Sequence, residues 1–317
     1  MRPDLAVCYG QERLPRYTSY PTAPHFSSAI GPSTYAEWLR AIPREASASL
    51  YLHVPFCRAM CTYCGCHTTV ARRDQPIAVY ESALRCEIDQ VVRHIDRRIR
   101  VEHIHFGGGT PTIMAPESFA DLMGLIRHCF FVAPSAEVAI EIDPRTLSPE
   151  MIEALALGGV NRASLGVQSF DPKVQRAINR EQSFEQTERA SAGLRRAGVS
   201  GINFDRIYAL PHQTVASCRD TVARCIELRP DRFSVFGYAH VPAFKKHQRK
   251  IKEDWLPDSL ERHEQSTAIA ESLREAGYGQ IGLDHFALPE DSMARALQAG
   301  TLRRNFQGYT TNQSSVL

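Results

Sequence analysis

Most of this chain alternates between segments with the composition of β-strands and segments with the periodicity of helices. The predicted strands are SLYLHVPF (49–56), VEHIHF (101–106), EVAIEID (137–143), RASLGVQ (162–168), INFDRIYAL (202–210) and RFSVFGYAH (232–240). Helices are predicted at 75–99, 117–130, from Pro149 onward with Ser148 as its cap, 183–197, 214–228 and 258–276. This alternation predicts a parallel α/β sheet, as an open sheet or a partial barrel, with function at the carboxyl ends of the strands.

Four of the nine cysteines lie close together, directly after the first predicted strand. Cys57, Cys61, Cys64 and Cys66 follow the pattern C-x3-C-x2-C-x-C. Three such thiolates can hold an iron–sulfur cluster and leave one iron open for a small molecule. A four-cysteine zinc site is the alternative, although structural zinc sites usually combine two separated C-x2-C pairs. The spacing therefore favours the cluster.

Composition excludes several classes of protein. The net charge of +2 gives no reason to expect binding to nucleic acid or to an anionic membrane. No stretch approaches the roughly 20 apolar residues of a membrane span, and no signal peptide is evident, so a cytoplasmic protein is expected. We interpret the basic run Lys245, Lys246, Arg249, Lys250 and Lys252 as a solvated face. Four scattered cysteines are predicted to be small buried side chains: Cys86, Cys129, Cys218 and Cys225.

The cysteine spacing after a first strand resembles the signature of the radical S-adenosylmethionine (SAM) superfamily. The resemblance implies a [4Fe–4S] cluster held by Cys57, Cys61 and Cys64, with SAM bound at the open iron and cleaved by one electron. It also implies a partial (β/α)6 TIM-like barrel. The glycines of FGGGTPT (106–112) match a segment whose backbone meets the SAM amino group in that superfamily. Glu141, at the end of a predicted buried strand, could bond a ribose or ammonium group.

Further motifs resemble the bacterial oxygen-independent coproporphyrinogen III oxidases. They are PRYTSYPTAPHF (15–26), YLHVPFCRAMCTYCGC (51–66), HFGGGTPT (105–112), EIDPR (141–145), SLGVQSFDPKVQRAINR (164–180), DRIYALPHQT (205–214), FSVFGYAHVP (233–242) and LDHFA (283–287). The resemblance implies that a SAM-derived radical drives oxidative decarboxylation of coproporphyrinogen III to protoporphyrinogen IX in haem biosynthesis. It also implies an electron donor of unknown identity and a monomeric enzyme.

The same resemblance implies site residues. One or two SAM molecules would contact Tyr51, Tyr63, Gly108, Gly109, Thr110, Glu141, Gln168, Arg180, Asp205 and Ala239. The substrate would contact Tyr17, Thr18, Ser19 and Tyr20, and Cys66 would lie near the cluster without binding it. We divide the chain into an N-terminal arm (1–48), a radical SAM core (49–283) and the start of a C-terminal region (284–317). Because family members carry a further helical domain, we interpret the chain as C-terminally truncated, a loss that bears on turnover more than on cluster binding.

Two other functions are compatible with these motifs. The first is a haem- or tetrapyrrole-binding protein without turnover, with His53, His67 and His240 as candidate ligands. The second is a radical SAM enzyme with a different substrate, which Cys66 and the YTSYPT segment disfavour. Haem binding without product formation would indicate the first function.

Overall fold

The computed structural model describes residues 25–305 and 308–317, so the predicted substrate segment at Tyr17–Tyr20 lies outside the described residues. The strands are β1 Ser47–Val54, β2 Phe56–Cys57, β3 Thr69–Val70, β4 Arg100–Gly108, β5 Phe131–Ile142, β6 Arg162–Gln168, β7 Gly201–Tyr208, β8 Arg232–Gly237, β9 Gly279–Ile281, β10 His285–Ala287, β11 Arg303–Asn305 and β12 Gly308–Thr310. The helices are α1 Pro32–Arg40, α2 Gln75–Ile95, α3 Pro116–Cys129, α4 Pro149–Leu157, α5 Pro172–Ala177, α6 Phe184–Arg196, α7 Val215–Glu227, α8 Ser259–Glu275 and α9 Ser292–Gln298.

Six parallel strands form the main sheet in chain order. The order is β1-β4-β5-β6-β7-β8, and the antiparallel hairpin β10-β9 extends the sheet beyond β8. The order never reverses, unlike that of a doubly wound sheet. Side chains from β1 (Ser49), β5 (Glu137) and β10 (His285) line one common cavity, so the sheet curls around it. The predicted α/β fold with a partial (β/α)6 barrel is confirmed.

Local sequence signals explain where several helices begin. Four helices, α1, α3, α4 and α5, start with proline, which lacks the N–H that a first turn leaves unpaired. Ser148 caps α4 by accepting a hydrogen bond from the Met151 N–H, as predicted. Helices α6, α7 and α8 each begin with a reciprocal capping box. No helix in the described ranges is both long and apolar enough to cross a membrane.

Three details differ from the sequence-based expectations. β5 starts at Phe131 rather than at 137, because its first residues pair with β4 before an irregularity that contains Pro134. Cys86 is exposed on α2, so the prediction that it is buried is wrong, whereas Cys129, Cys218 and Cys225 are buried. The predicted boundary at 283 falls within the β9–β10 hairpin. We therefore propose that the core domain extends at least to Ala287.

Arg206 of β7 is a buried cation without a matching anion. It is 0% exposed, and none of its guanidinium nitrogens has an oxygen or nitrogen hydrogen-bond partner in the part of the protein that the structure describes. The positive charge of the guanidinium favours lower pKa values for the Cys218 and Cys225 thiols in α7. Burial has the larger effect and raises both pKa values to about 11, so the thiols stay neutral. Thiols are weak acceptors, so the charge of Arg206 is poorly compensated.

We expect Arg206→Leu to raise the free energy of unfolding of the apoprotein by about 2 kcal/mol, because leucine removes an uncompensated buried charge. Urea denaturation under reducing, anaerobic conditions measures this change. Arg196→Leu, at an exposed position of α6, is the control and should have little effect. A lower urea midpoint for Arg206→Leu would contradict the prediction.

Candidate cofactor site

A cavity of about 360 Å³ opens at the carboxyl ends of the parallel strands. Its wall brings together most of the predicted site residues: Cys57, Cys61, Tyr63, Cys64, Cys66, Gly108, Gly109, Thr110, Glu141, Gln168, Arg180, Asp205 and Ala239. Tyr51 lies instead in the wall of a second cavity of about 330 Å³ inside the barrel. The two cavities share Glu141, Ser164 and Asp205 in their walls, so they adjoin.

Polar groups surround two of the predicted ligand sulfurs. Cys57 ends β2, and its Sγ lies 3.4 Å from Thr110 Oγ1. Cys61 Sγ lies 3.8 Å from Arg180 Nη1 and 4.0 Å from Arg145 Nη2. Burial raises the pKa of the Cys57 thiol, but hydrogen bonds from hydroxyl groups oppose that rise. These donors stabilise thiolates, the form that binds metals.

Cys64 and Cys66 interact with each other. A hydrogen bond from Cys66 lowers the pKa of Cys64 to about 6, against the effect of burial. The same interaction raises the pKa of Cys66, so Cys66 keeps its proton and donates it toward the Cys64 thiolate. The assignment of Cys64 rather than Cys66 as a metal ligand stays a prediction.

The donor set fits an iron–sulfur cluster. Among residues 25–305 and 308–317, no three His, Cys, Asp or Glu side chains surround a point that a single metal ion could occupy. A cubane has a different requirement, because each thiolate binds a different iron and the sulfurs need not converge on one point. Cys57, Cys61 and Cys64 line one cavity, as that requires.

The same wall fits a polar ligand beside the cluster. Gln168 Oε1 and Arg180 Nε are buried and have no hydrogen-bond partner within the described ranges. Buried polar atoms in proteins are normally paired, so these two atoms indicate that the cavity receives a polar molecule. Gln168 also has a φ of +62°, a conformation that few non-glycine residues adopt. Such strained residues concentrate at functional sites.

The glycine segment after β4 packs tightly against the cysteine loop. A Cβ on Gly108, whose φ is +116°, would lie 2.8 Å from the His53 ring, and one on Gly109 would lie 2.5 Å from the Phe56 carbonyl oxygen. The Gly108 N–H donates to Glu141 Oε2 at 3.1 Å. Protein packing thus already requires glycine here, and the predicted contact with a SAM amino group stays a prediction.

Arg180 has a different immediate role from the predicted one. Its guanidinium donates to Gly166 O at 2.7 Å and to Asp143 at 3.3 Å, and Asp143 also binds Arg145 at 2.6 Å. Burial would raise the pKa of Asp143, but the Arg145 hydrogen bond and the Arg180 charge hold it below its usual range. The ion pair between Asp143 and Arg180 therefore holds the guanidinium beside Cys61 Sγ. Of the Arg180 nitrogens, only Nε remains available to a ligand. Sequence reasoning placed Asp143 at a strand end but gave neither Asp143 nor Arg145 a role in the site, although the motif EIDPR contains both.

Asp205 is held at the junction of the two cavities. It accepts hydrogen bonds from Ser164 Oγ at 2.7 Å and from Asn203 Nδ2 at 2.8 Å. Burial raises its pKa from 3.8 to about 6 even so. The folded protein therefore binds this proton more tightly than the unfolded chain does between about pH 4 and pH 6. The stability that this proton contributes is present at low pH and is lost as pH rises through that window.

We expect Asp205→Asn to remove this pH dependence. The difference in unfolding free energy between wild type and variant should change by about 2 kcal/mol from pH 4 to pH 7, in favour of the variant at higher pH. Urea denaturation of the two apoproteins across this pH range measures how their difference in unfolding free energy changes with pH. A pH-independent effect of the substitution does not alter that change. Parallel curves would contradict the prediction.

The candidate haem ligands are engaged in other contacts or exposed. His53 accepts a hydrogen bond from the Tyr51 hydroxyl at 2.9 Å through Nδ1, and its Nε2 donates to His67 O at 3.0 Å. His240 Nδ1 lies 2.8 Å from the Tyr238 hydroxyl, and His67 is exposed. His53 therefore has both ring nitrogens occupied.

Comparisons with known proteins agree with this geometry. Residues 51–225 match the model of the radical SAM superfamily. The oxygen-independent coproporphyrinogen III oxidase of Bradyrhizobium diazoefficiens is 70% identical over 317 residues, covering 100% of this chain and 70% of the relative. The oxidase of Paracoccus denitrificans is 45% identical, covering 96% and 68%. The solved coproporphyrinogen III oxidase of Escherichia coli superposes with a TM-score of 0.91 at 40% identity, covering 95% of this chain and 69% of that one. The chain therefore belongs to the oxygen-independent coproporphyrinogen III oxidase family of the radical SAM superfamily.

Proposed function

We propose that this protein converts coproporphyrinogen III to protoporphyrinogen IX without oxygen, as a step of haem biosynthesis. The observation that supports the proposal is the wall of three cysteines, with their thiolate-stabilising donors, beside a cavity with unpaired polar atoms. When bound, a [4Fe–4S] cluster supplies the electron that cleaves SAM. Together with SAM, the cluster would supply the radical chemistry that converts a propionate to a vinyl group, with CO2 released and one electron passed to an external acceptor.

We propose the following roles for the protein residues. Cys57, Cys61 and Cys64 bind the cluster, while Asp143 and Arg180 hold the Cys61 side of the loop. Gln168 and Asp205 bind SAM: Gln168 accepts a hydrogen bond through Oε1, and Asp205 accepts from the hydroxyl groups of SAM. Glu141 orients the glycine segment by accepting from the Gly108 N–H. Tyr51 lies further inside the barrel, against His53 and His105. Its ring would shape the adjoining cavity, and its contact with SAM stays a prediction.

We propose further that the protein acts in the cytoplasm as a monomer and takes electrons from a separate donor. A reducing compartment suits a loop of four unpaired cysteines, since disulfides persist mainly in oxidising ones. Light scattering of the reconstituted protein after gel filtration tests the oligomeric state. A dimer mass at micromolar concentration would contradict the monomer.

The decisive experiment is anaerobic reconstitution with iron and sulfide, followed by reduction and incubation with SAM and coproporphyrinogen III. Chromatography then quantifies 5′-deoxyadenosine and protoporphyrinogen. We expect both, with one deoxyadenosine for each vinyl group formed. Deoxyadenosine without protoporphyrinogen would contradict the substrate assignment but retain radical chemistry. Haem binding by a cluster-loaded protein that forms neither product would favour the tetrapyrrole-binding alternative.

A further inference from the structure

The segment that follows β8 contacts the cysteine loop through three side chains. Lys245 Nζ donates to the carbonyl oxygen of Cys66 at 2.8 Å. His247 Nε2 donates to that of Cys64 at 2.7 Å. Gln248, in the same turn, donates to the carbonyl oxygen of Tyr63. These residues lie in or beside the basic run interpreted from sequence as a solvated face. Lys246, Arg249, Lys250 and Lys252 are exposed, whereas Lys245 is half-buried and also donates to the loop.

Gln248 fixes this segment to the rest of the barrel. It is 0% exposed, and its Nε2 donates to Tyr63 O at 2.9 Å and to Ala239 O at 3.3 Å. Its Oε1 accepts from the Val241 N–H at 2.6 Å. Ile251 of the same segment is buried in an apolar cluster against which Tyr63 packs. The cysteine loop and the end of β8 are therefore joined through one fully buried amide.

These contacts are made to the part of the cysteine loop that contains the proposed cluster ligand Cys64. The three side-chain donors bind the backbone oxygens of Tyr63, Cys64 and Cys66, so one bond is made to Cys64 itself and the other two lie on either side of it. Outer contacts of this kind orient metal ligands and tune the metal group. Lys245 also brings a positive charge to the loop, and reduction potentials of iron–sulfur clusters depend on nearby charge and hydrogen bonds. A cation stabilises the more negative, reduced state.

We propose that Lys245, His247 and Gln248 are positioning residues for the cluster, and that Lys245 raises its reduction potential. Gln248 holds the backbone of the loop at Tyr63, next to Cys64. His247 and Lys245 donate hydrogen bonds to the carbonyl oxygens of Cys64 and Cys66, close to the ligand sulfur. The proposal rests on the proposed function only in that the three cysteines must hold a cluster. Its measurements do not require turnover.

Two neighbouring lysines give a matched test of the charge effect. Lys245 contacts the loop, whereas Lys246 is exposed, and each substitution by glutamine removes one positive charge. We expect Lys245→Gln to lower the ratio of reduced to oxidised cluster about threefold at a fixed applied potential, which corresponds to about 28 mV for a one-electron couple. Lys246→Gln should leave the ratio unchanged. The measurement is an anaerobic redox titration followed by electron paramagnetic resonance.

Equal shifts in the two variants would show a general effect of charge and would overturn the assignment to Lys245. No shift in either would overturn it as well. If the wild-type chain holds a reducible cluster and yet makes no product, the proposed function fails while this comparison still decides the role of Lys245.

Two buried glutamines test the positioning role. Gln248 and Gln265 are both almost fully buried, and both bind backbone groups, but Gln265 bonds Ala209 and Gln213, away from the cysteine loop. We expect Gln248→Leu to release cluster iron to a chelator at least tenfold faster than wild type, at a protein concentration where circular dichroism shows a folded chain. Gln265→Leu should release iron at the wild-type rate. Equal release from the two variants would overturn the proposal.

Discussion

Replacing Cys61 by serine is expected to remove the cluster and to lower 5′-deoxyadenosine formation at least 100-fold. Serine is a much weaker iron ligand than a thiolate, and clusters of this kind depend on cysteine sulfur. Cys61 is also the sulfur that Arg180 and Arg145 approach, so its loss leaves two cations facing a hydroxyl group. Iron and sulfide analysis, visible absorption and chromatography of the SAM products measure the change.

The matched control for this substitution is Cys86→Ser. Cys86 is an exposed cysteine of α2, outside the cysteine loop. It should keep full cluster content and full deoxyadenosine formation. If Cys61→Ser retained a wild-type cluster, the ligand assignment would be wrong. If Cys86→Ser also lost its cluster, the reconstitution procedure rather than the ligand set would explain the loss.

Replacing Asp143 by alanine is expected to lower the free energy of unfolding of the apoprotein by about 3–5 kcal/mol, because breaking a buried ion pair leaves its partners uncompensated. The side chain of Asp143 is 11% exposed and that of Arg180 is 7% exposed, so water cannot replace the lost carboxylate. The change should persist at high salt, since buried pairs are screened little. Urea denaturation at low and high salt measures it.

Asp121→Ala, at an exposed position of α3, is the control for the loss of an aspartate and should change stability little. A loss below about 1 kcal/mol for Asp143→Ala, the range of a surface pair, would contradict the buried ion pair. We also expect the cluster-loaded variant to lose iron faster, because Asp143 holds Arg180 beside Cys61.

The sequence alone determined the local elements of this protein. Six strands and the helices between them follow from short-range periodicity and from prolines and capping residues at helix starts, so their positions matched within a few residues. β5 begins six residues earlier than predicted. Its first residues pair with β4 before Pro134, and a proline in a sequence normally indicates the end of a strand. The ligand set was also readable, because Cys57, Cys61 and Cys64 lie within one loop and their spacing is local.

Tertiary structure decided which distant residues meet that loop. Arg145 and Arg180 reach Cys61 from the ends of different βα units. The turn after β8 brings Lys245 and Gln248 to another part of the same loop. No short-range sequence pattern predicts these contacts, because each depends on the curl of the sheet, which brings the carboxyl ends of the strands together at one edge. The basic run shows the same limit. Charge pattern alone predicted solvent exposure, and only the fold shows that Lys245 donates to the cysteine loop.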